Sequence, residues 1–209
     1  MSYSSLWGID SKWSGKRLTE YHNSWLFCPI SWNVLLCKYI EPEERTGYGR
    51  VWTNYMSWVG MCDSATADKK WRMLNERINN SGIQPDRVLW DLSQLGVFDA
   101  KDKDFVAECI DKFVENNIVG NPEYQESDHI IERFHKVAED IRNLPRRFKY
   151  FVIKGTSCDD NVEWWFYRKR LCSWKKFVCY FTVIEDQKVV GYATNLQMCK
   201  GVEGNEEEP

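Results

Sequence analysis

Residues 146–195, RRFKYFVIKGTSCDDNVEWWFYRKRLCSWKKFVCYFTVIEDQKVVGYATN, decide how the fold is read. At their start Tyr150, Val152 and Lys154 alternate against Phe151 and Ile153, and Gly155 closes the run. A period of two predicts a β-strand with two distinct faces. Near their end FVCYFTVIE, residues 177–185, is dense in β-branched and aromatic side chains, which suit a pleated, packed surface. Asp186 and Gln187 then supply a turn, and residues 188–194 return as a hairpin partner.

Working back from Pro145, the period changes to 3.6. In residues 127–144, Ile130, Phe134, Val137 and Ile141 fall on one helical face, with Ser127 as a candidate cap. Residues 99–117 place Phe105, Val106, Cys109, Ile110, Phe113 and Val114 in a wide apolar stripe with the acids opposite. Two shorter helices are predicted before it. One runs from Thr66 to a stop at Gly82, and the other from Pro85 to Gly96. Residues 22–40 read as a helix buried on most sides, capped by Asn23 or Ser24 and ended by Pro42. Residues 51–61 fit helix slightly better than strand. Residues 1–20, with Gly8 and Gly15, read as loop or one short strand. The expectation is an α+β fold: a helical N-terminal two-thirds packed on a small, mainly antiparallel C-terminal β-sheet. One domain across 1–209 is expected, helical over 21–145, β-rich over 146–196, with an acidic tail at 201–209.

Composition narrows the function classes. Hydrophobic residues make up 43% and charged residues 28%, as in ordinary globular proteins, so a full core is available. The net charge of −3 implies no global attraction to nucleic acid or to an anionic membrane. Charge is nevertheless unevenly placed. Residues 99–142 hold twelve acids and six bases, whereas 146–176 hold nine bases and three acids. No run is apolar enough to cross a membrane. The first ten residues lack a basic start and an apolar stretch, so no secretory signal is expected. Eight cysteines, Cys28, Cys37, Cys62, Cys109, Cys158, Cys172, Cys179 and Cys199, include no Cys-x-x-Cys pair. They are expected to be reduced thiols in a cytoplasmic protein.

Catalytic motifs are wanting. There is no Gly-x-Ser-x-Gly, His-Glu-x-x-His, phosphate-cradling Gly-rich loop or dinucleotide fingerprint. His129, Glu132 and His135 share a helix, but a di-iron centre needs a second Glu-x-x-His and further glutamates, so no metal is expected. Asp99, Asp102 and Asp104 sit where acids compensate a helix N-terminus, which is a simpler account than two-metal chemistry. Cys28, six residues after His22, is at most a weak thiol candidate. No cofactor is implied.

Binding is the stronger theme. Eleven tryptophans and an aromatic share of 15% exceed ordinary usage. Large rings build cores, and they also anchor interfaces. The candidate binding residues are Trp164, Trp165, Tyr167, Arg168, Lys169, Arg170 and Trp174, where rings and bases interleave. The leading expectation is a non-catalytic binding protein acting on a protein partner, in the manner of an inhibitor, immunity or anti-defence factor. The alternative is a nucleic-acid-binding module using the segment 164–176 together with Arg146 and Arg147. An enzyme of unrecognised type stands third.

Overall fold

A computed structural model describes residues 3–22, 27–94, 96–124, 128–155 and 180–198. The chain opens with a hairpin, β1 (Tyr3–Ile9) and β2 (Gly15–His22), turned by Asp10. The Asp10 carboxylate accepts the backbone N–H groups of Lys12 (2.8 Å) and Ser14 (2.9 Å). Helix α1 (Phe27–Tyr39) follows. A short 3-10 turn then leads to the two-residue strands β3 (Thr46–Gly47) and β4 (Arg50–Val51), which pair apart from the main sheet. Next come α2 (Tyr55–Gly60), α3 (Ser64–Asn80) and α4 (Gln84–Ser93). Strand β5 (Gly96–Asp99) then precedes a 3-10 turn, α5 (Lys103–Asn117) and α6 (Asp128–Arg142). Strands β6 (Tyr150–Gly155), β7 (Tyr180–Glu185) and β8 (Lys188–Thr194) and the short α7 (Asn195–Met198) complete the described chain.

The helix assignments from residue 27 to 142 largely hold, because each has a local cause. The Asn54 side chain accepts the Ser57 N–H at 2.8 Å to start α2, and the Asp63 carboxylate accepts the Thr66 N–H at 3.0 Å to start α3. Thr66 therefore lies inside the first turn and is not the cap. The caps proposed at Asn23, Ser24 and Ser127 lie outside the described residues.

The expected division into a helical N-terminal block and a C-terminal sheet is wrong. Helices and strands are interspersed, and a six-stranded mixed sheet of order β2-β1-β6-β5-β7-β8 draws on both ends and the middle of the chain. Neighbours run antiparallel except β5 and β7, which are parallel, with Val97 opposite Val183. Three strands were misread for different reasons. In β1, Ser4 to Ile9 are all buried, so there is no polar alternation to see, and two serines dilute the apolar signal. Strand β2 is a polar edge with Lys16, Arg17 and Glu20 exposed. Strand β5 is only four residues, and its ends were read as a helix stop at Gly96 and a helix start at Asp99.

The sheet buries both faces. Leu6, Phe98, Phe151, Ile153 and Ile184 meet the helical layer, whose core includes Leu35, Leu89, Trp90, Ile110, Phe113, Phe134 and Ile141. Trp7, Ile9, Val97, Tyr150, Val152, Phe181, Val183 and Ala193 form the opposite face. There Met198 packs in from α7, and Trp13 stacks on Tyr150 with ring centroids 4.8 Å apart. Among the seven described tryptophans, Trp7, Trp58 and Trp90 are buried, so these rings are core. The Trp90 indole donates to Asn75 Oδ1 (2.8 Å), and that of the half-buried Trp32 donates to Ser93 Oγ (2.9 Å).

Gly96 makes the turn from α4 into β5 possible. A Cβ added there would lie 2.7 Å from the Asp91 backbone oxygen, closer than atoms pack. Gly96→Ala is therefore expected to destabilise the fold by about 1–3 kcal/mol, since backbone must move. At Gly60, in α2, nothing lies within 4 Å of an added Cβ. Gly60→Ala is expected to leave stability unchanged or raise it by up to ~1 kcal/mol. Urea denaturation of the two variants checks the contrast; equal midpoints would refute the close-approach explanation.

Candidate functional site

Trp164, Trp165, Tyr167, Arg168, Lys169, Arg170 and Trp174 all lie outside the described residues. The described molecule offers three other places where chemistry or binding could be housed.

The first is a cleft of about 170 Å³ between α4, the start of α5 and the β7–β8 turn. Asn79, Gln84, Arg87, Asp91, Asp102 and Gln187 line it, with Phe98 and Phe105 behind. Asp186 and Gln187 both take positive φ (48° and 64°), the backbone a tight two-residue hairpin turn requires. A hydrogen bond from the Gln84 amide to Gln187 spans the cleft from α4 to this turn. Burial pushes the Asp91 carboxyl up to about 6, against the pull of the Arg87 guanidinium. Burial also raises Asp102, opposed by the backbone N–H groups of Asp186 and Gln187. Asp102 Oδ2 is buried without a hydrogen-bond partner among the described residues.

Two carboxyl groups that hold protons at higher pH than usual are what acid–base chemistry needs. The remaining parts do not assemble. Among the described residues no nucleophile–base pair lines the cleft, and its volume falls below the roughly 300–1,000 Å³ of a small-molecule site. As described, the cleft is a packing junction that holds two desolvated carboxyl groups.

The other catalytic candidates dissolve in the same way. Cys28 is buried, and burial drives its thiol up to about 11, the opposite of an activated thiolate. Cys37, Cys62 and Cys109 are also free thiols, and burial raises Cys109 to about 11 as well. His129, Glu132 and His135 are exposed on α6, and His135 Nδ1 lies 2.8 Å from Asp111. Among the described residues no three His, Cys, Asp or Glu side chains are grouped to hold a metal ion. Asp99 caps the 3-10 turn by accepting the Lys101 N–H at 2.8 Å, a structural role. No described helix is long and apolar enough to cross a membrane.

The second place is the outer edge of β8. Val189, Val190 and Tyr192 are exposed, and so is Tyr180 across the hairpin, opposite Thr194. Tyr192 keeps 72% of its surface in solvent. The reading from sequence treated this hairpin as plain sheet. The adjacent Val189 and Val190, which break the in–out alternation, were the signal passed over.

The third is an open concavity of about 400 Å³ formed by residues 99–103 and 144–149. Five cations line it: Lys101, Lys103, Arg146, Arg147 and Lys149. Arg146 and Arg147 stood out in the sequence. Lys101 and Lys103 did not, because they lie in the acidic stretch and only the fold carries them across.

Comparison with protein-family models, with curated proteins and with solved structures finds no match.

The Asp91 carboxyl gives a pH test of the packing-junction reading. Its folded value is raised, so the native state holds a proton that the unfolded chain has released between about pH 4 and pH 6. Native stability therefore falls as pH rises through that window. Asp91→Asn removes the penalty. It should stabilise the protein at pH 7.5 by on the order of 2 kcal/mol and have little effect at pH 4. Thermal melts of both forms at the two pH values check this; an equal shift at both would exclude a desolvated carboxylate.

Proposed function

We propose that the protein is a non-catalytic binding protein that pairs an extended segment of a partner protein against the free edge of β8. The observation that carries this reading is the contrast between the two edges of one sheet. Edge strands that must stay unpaired are guarded by charge, proline or short length. Strand β2 is guarded in this way by exposed Lys16, Arg17 and Glu20. Strand β8, seven residues long, pairs only with β7 among the described strands and exposes Val189, Val190 and Tyr192. Its only charged residue is Lys188.

An added strand would take its affinity from main-chain hydrogen bonds and its specificity from side chains on the flanking face. Tyr180 and Tyr192 suit that role. Each offers a large ring at low entropic cost with a hydroxyl that stays wet, the property that makes tyrosine common at binding hot spots.

The test is affinity capture from the native host with nuclease treatment, read by mass spectrometry. A protein retained by the wild type should be lost from Val190→Pro and weakened at least ~10-fold by Tyr192→Ala, about 1.4 kcal/mol or more. Thr19→Lys, on the opposite edge, should retain it. Retention by both β8 variants, or recovery of nucleic acid without protein, would sink the reading.

A further inference from the structure

The concavity at residues 99–103 and 144–149 lies at the end of the sheet where β5 leaves and β6 begins. It is built by backbone, not by chance side-chain placement. The Ala100 N–H donates to the Lys149 carbonyl at 2.8 Å, tying the start of the 3-10 turn to the start of β6. The Lys149 N–H in turn donates to the Ile9 carbonyl, also at 2.8 Å. The Phe148 N–H donates to the Pro145 carbonyl at 3.1 Å, curling residues 145–148 into a turn. Phe148 is buried beneath, its ring against Gly8, where a Cβ would come within 2.5 Å of the ring.

Five cations share this hollow with one carboxylate, Asp99, which is itself buried and engaged with the Lys101 N–H. Two of the five have partners. Lys103 donates to the Arg142 carbonyl, and Lys149 sits 3.9 Å from Glu185 and over the Tyr150 ring. Lys101, Arg146 and Arg147 are exposed and have no carboxylate within salt-bridge distance among the described residues; Arg147 lies over the Phe148 ring, 4.8 Å from its centroid. On a chain of net charge −3, three cations without a carboxylate partner at one built concavity are a concentration of charge that costs self-repulsion.

We propose that this concavity binds the phosphodiester backbone of nucleic acid without reading its sequence. The lining selects that occupant over an acidic peptide. Peptide recognition needs an apolar anchor site, yet Leu144 and Phe148 are buried and only Pro145 is an exposed apolar residue there. Base reading needs an open ring to stack on or a side-chain amide to pair with; the one ring in the lining, Phe148, is buried with Arg147 over it, and no Asn or Gln lines the hollow. What remains is cation to phosphate, with two arginines able to grip phosphate oxygens in a bidentate fork. This proposal uses a different surface from the β8 edge and stands or falls separately.

The experiment is fluorescence anisotropy of the full chain with a short labelled duplex DNA across salt concentrations. Three phosphates neutralised predict a log–log salt slope of about −2.7, so affinity should fall about 40-fold between about 50 and 200 mM salt. Lys101→Ala, Arg146→Ala and Arg147→Ala should each reduce the slope by about one, and a scrambled duplex should bind equally. The β8 variant Tyr192→Ala should bind as the wild type does, which separates this outcome from the fate of the protein-binding reading. Failure to bind at low salt would overturn the proposal. So would binding unchanged in the triple variant but lost in Arg168→Ala/Lys169→Ala/Arg170→Ala, or equal competition by poly-glutamate. Matching thermal melts of the triple variant and the wild type establish that the exposed substitutions leave the fold intact.

Discussion

Strand β5 holds the two halves of the sheet together. On one side lie β2, β1 and β6, on the other β7 and β8, and among the described strands only β5 touches both groups. It does so with four residues, all buried. Such a short strand cannot be stable by pairing alone and must be fixed at its ends. At one end Gly96 lets the chain pass against the Asp91 carbonyl, which locks β5 to the end of α4. At the other, Asp99 pairs with Tyr150, caps the following 3-10 turn and leads into α5. Phe98 and Val97 then point to opposite cores, so one dipeptide ties together both faces of the sheet.

The helical layer has its own fixed point. Asp86, wholly buried in α4, lies 2.7 Å from Lys38 and accepts the Tyr39 hydroxyl at 2.5 Å, both from α1. Asn117, at the end of α5, approaches its other oxygen at 3.5 Å. A buried carboxylate is tolerated only when its lone pairs are filled, and here two neighbouring helices contribute. Removing it would leave the Tyr39 hydroxyl without its acceptor, whereas Lys38 is exposed and keeps its hydrogen bond to Asn117 Oδ1. Burying such a pair adds little net stability, because the desolvation cost offsets the attraction. Burial and the bond to Asp86 together push the Tyr39 hydroxyl up to about 12, so the phenol stays a donor at any physiological pH.

What the sequence shows and hides follows from where each residue is buried. Helices α3 to α6 were legible because one face is wet, and the 3.6-residue period survives as polar against apolar. Strand β6 was legible because Phe151 and Ile153 belong to one core and Tyr150 and Val152 to the other. Strands β1 and β5 are buried on both faces, and β2 is largely exposed, so none of them carries a clean period of two. Missing those three strands turned a mixed six-stranded sheet into a small C-terminal one. The surfaces proposed for binding were hidden by a related effect. Lys101 and Lys103 belong to the acidic stretch in sequence and to the basic concavity in space. The openness of β8 is a property of strand order, which no local pattern encodes.

Strand order also explains where the proposed binding surfaces gather. The β1–β2 hairpin closes one side of the sheet with a charged edge, and the helices cover the sheet's middle strands. Coverage does not extend to β8: Ile184 of β7 is in the helical core, whereas Tyr192 and Val190 beyond it are exposed. At the end of β5 and the start of β6 the chain places the curled, cationic residues 145–149 beside the 3-10 turn that leads into α5. Both elements lend residues to the cores, Phe148 and Leu144 on one side and Ala193 on the other, but the exposed side chains Val190, Tyr192, Lys101, Arg146 and Arg147 belong to neither. Apolar edge and unpaired charge alike cost solubility or self-repulsion in the free protein. Features that the fold neither requires nor shields are where a partner's contribution to the free energy is to be sought.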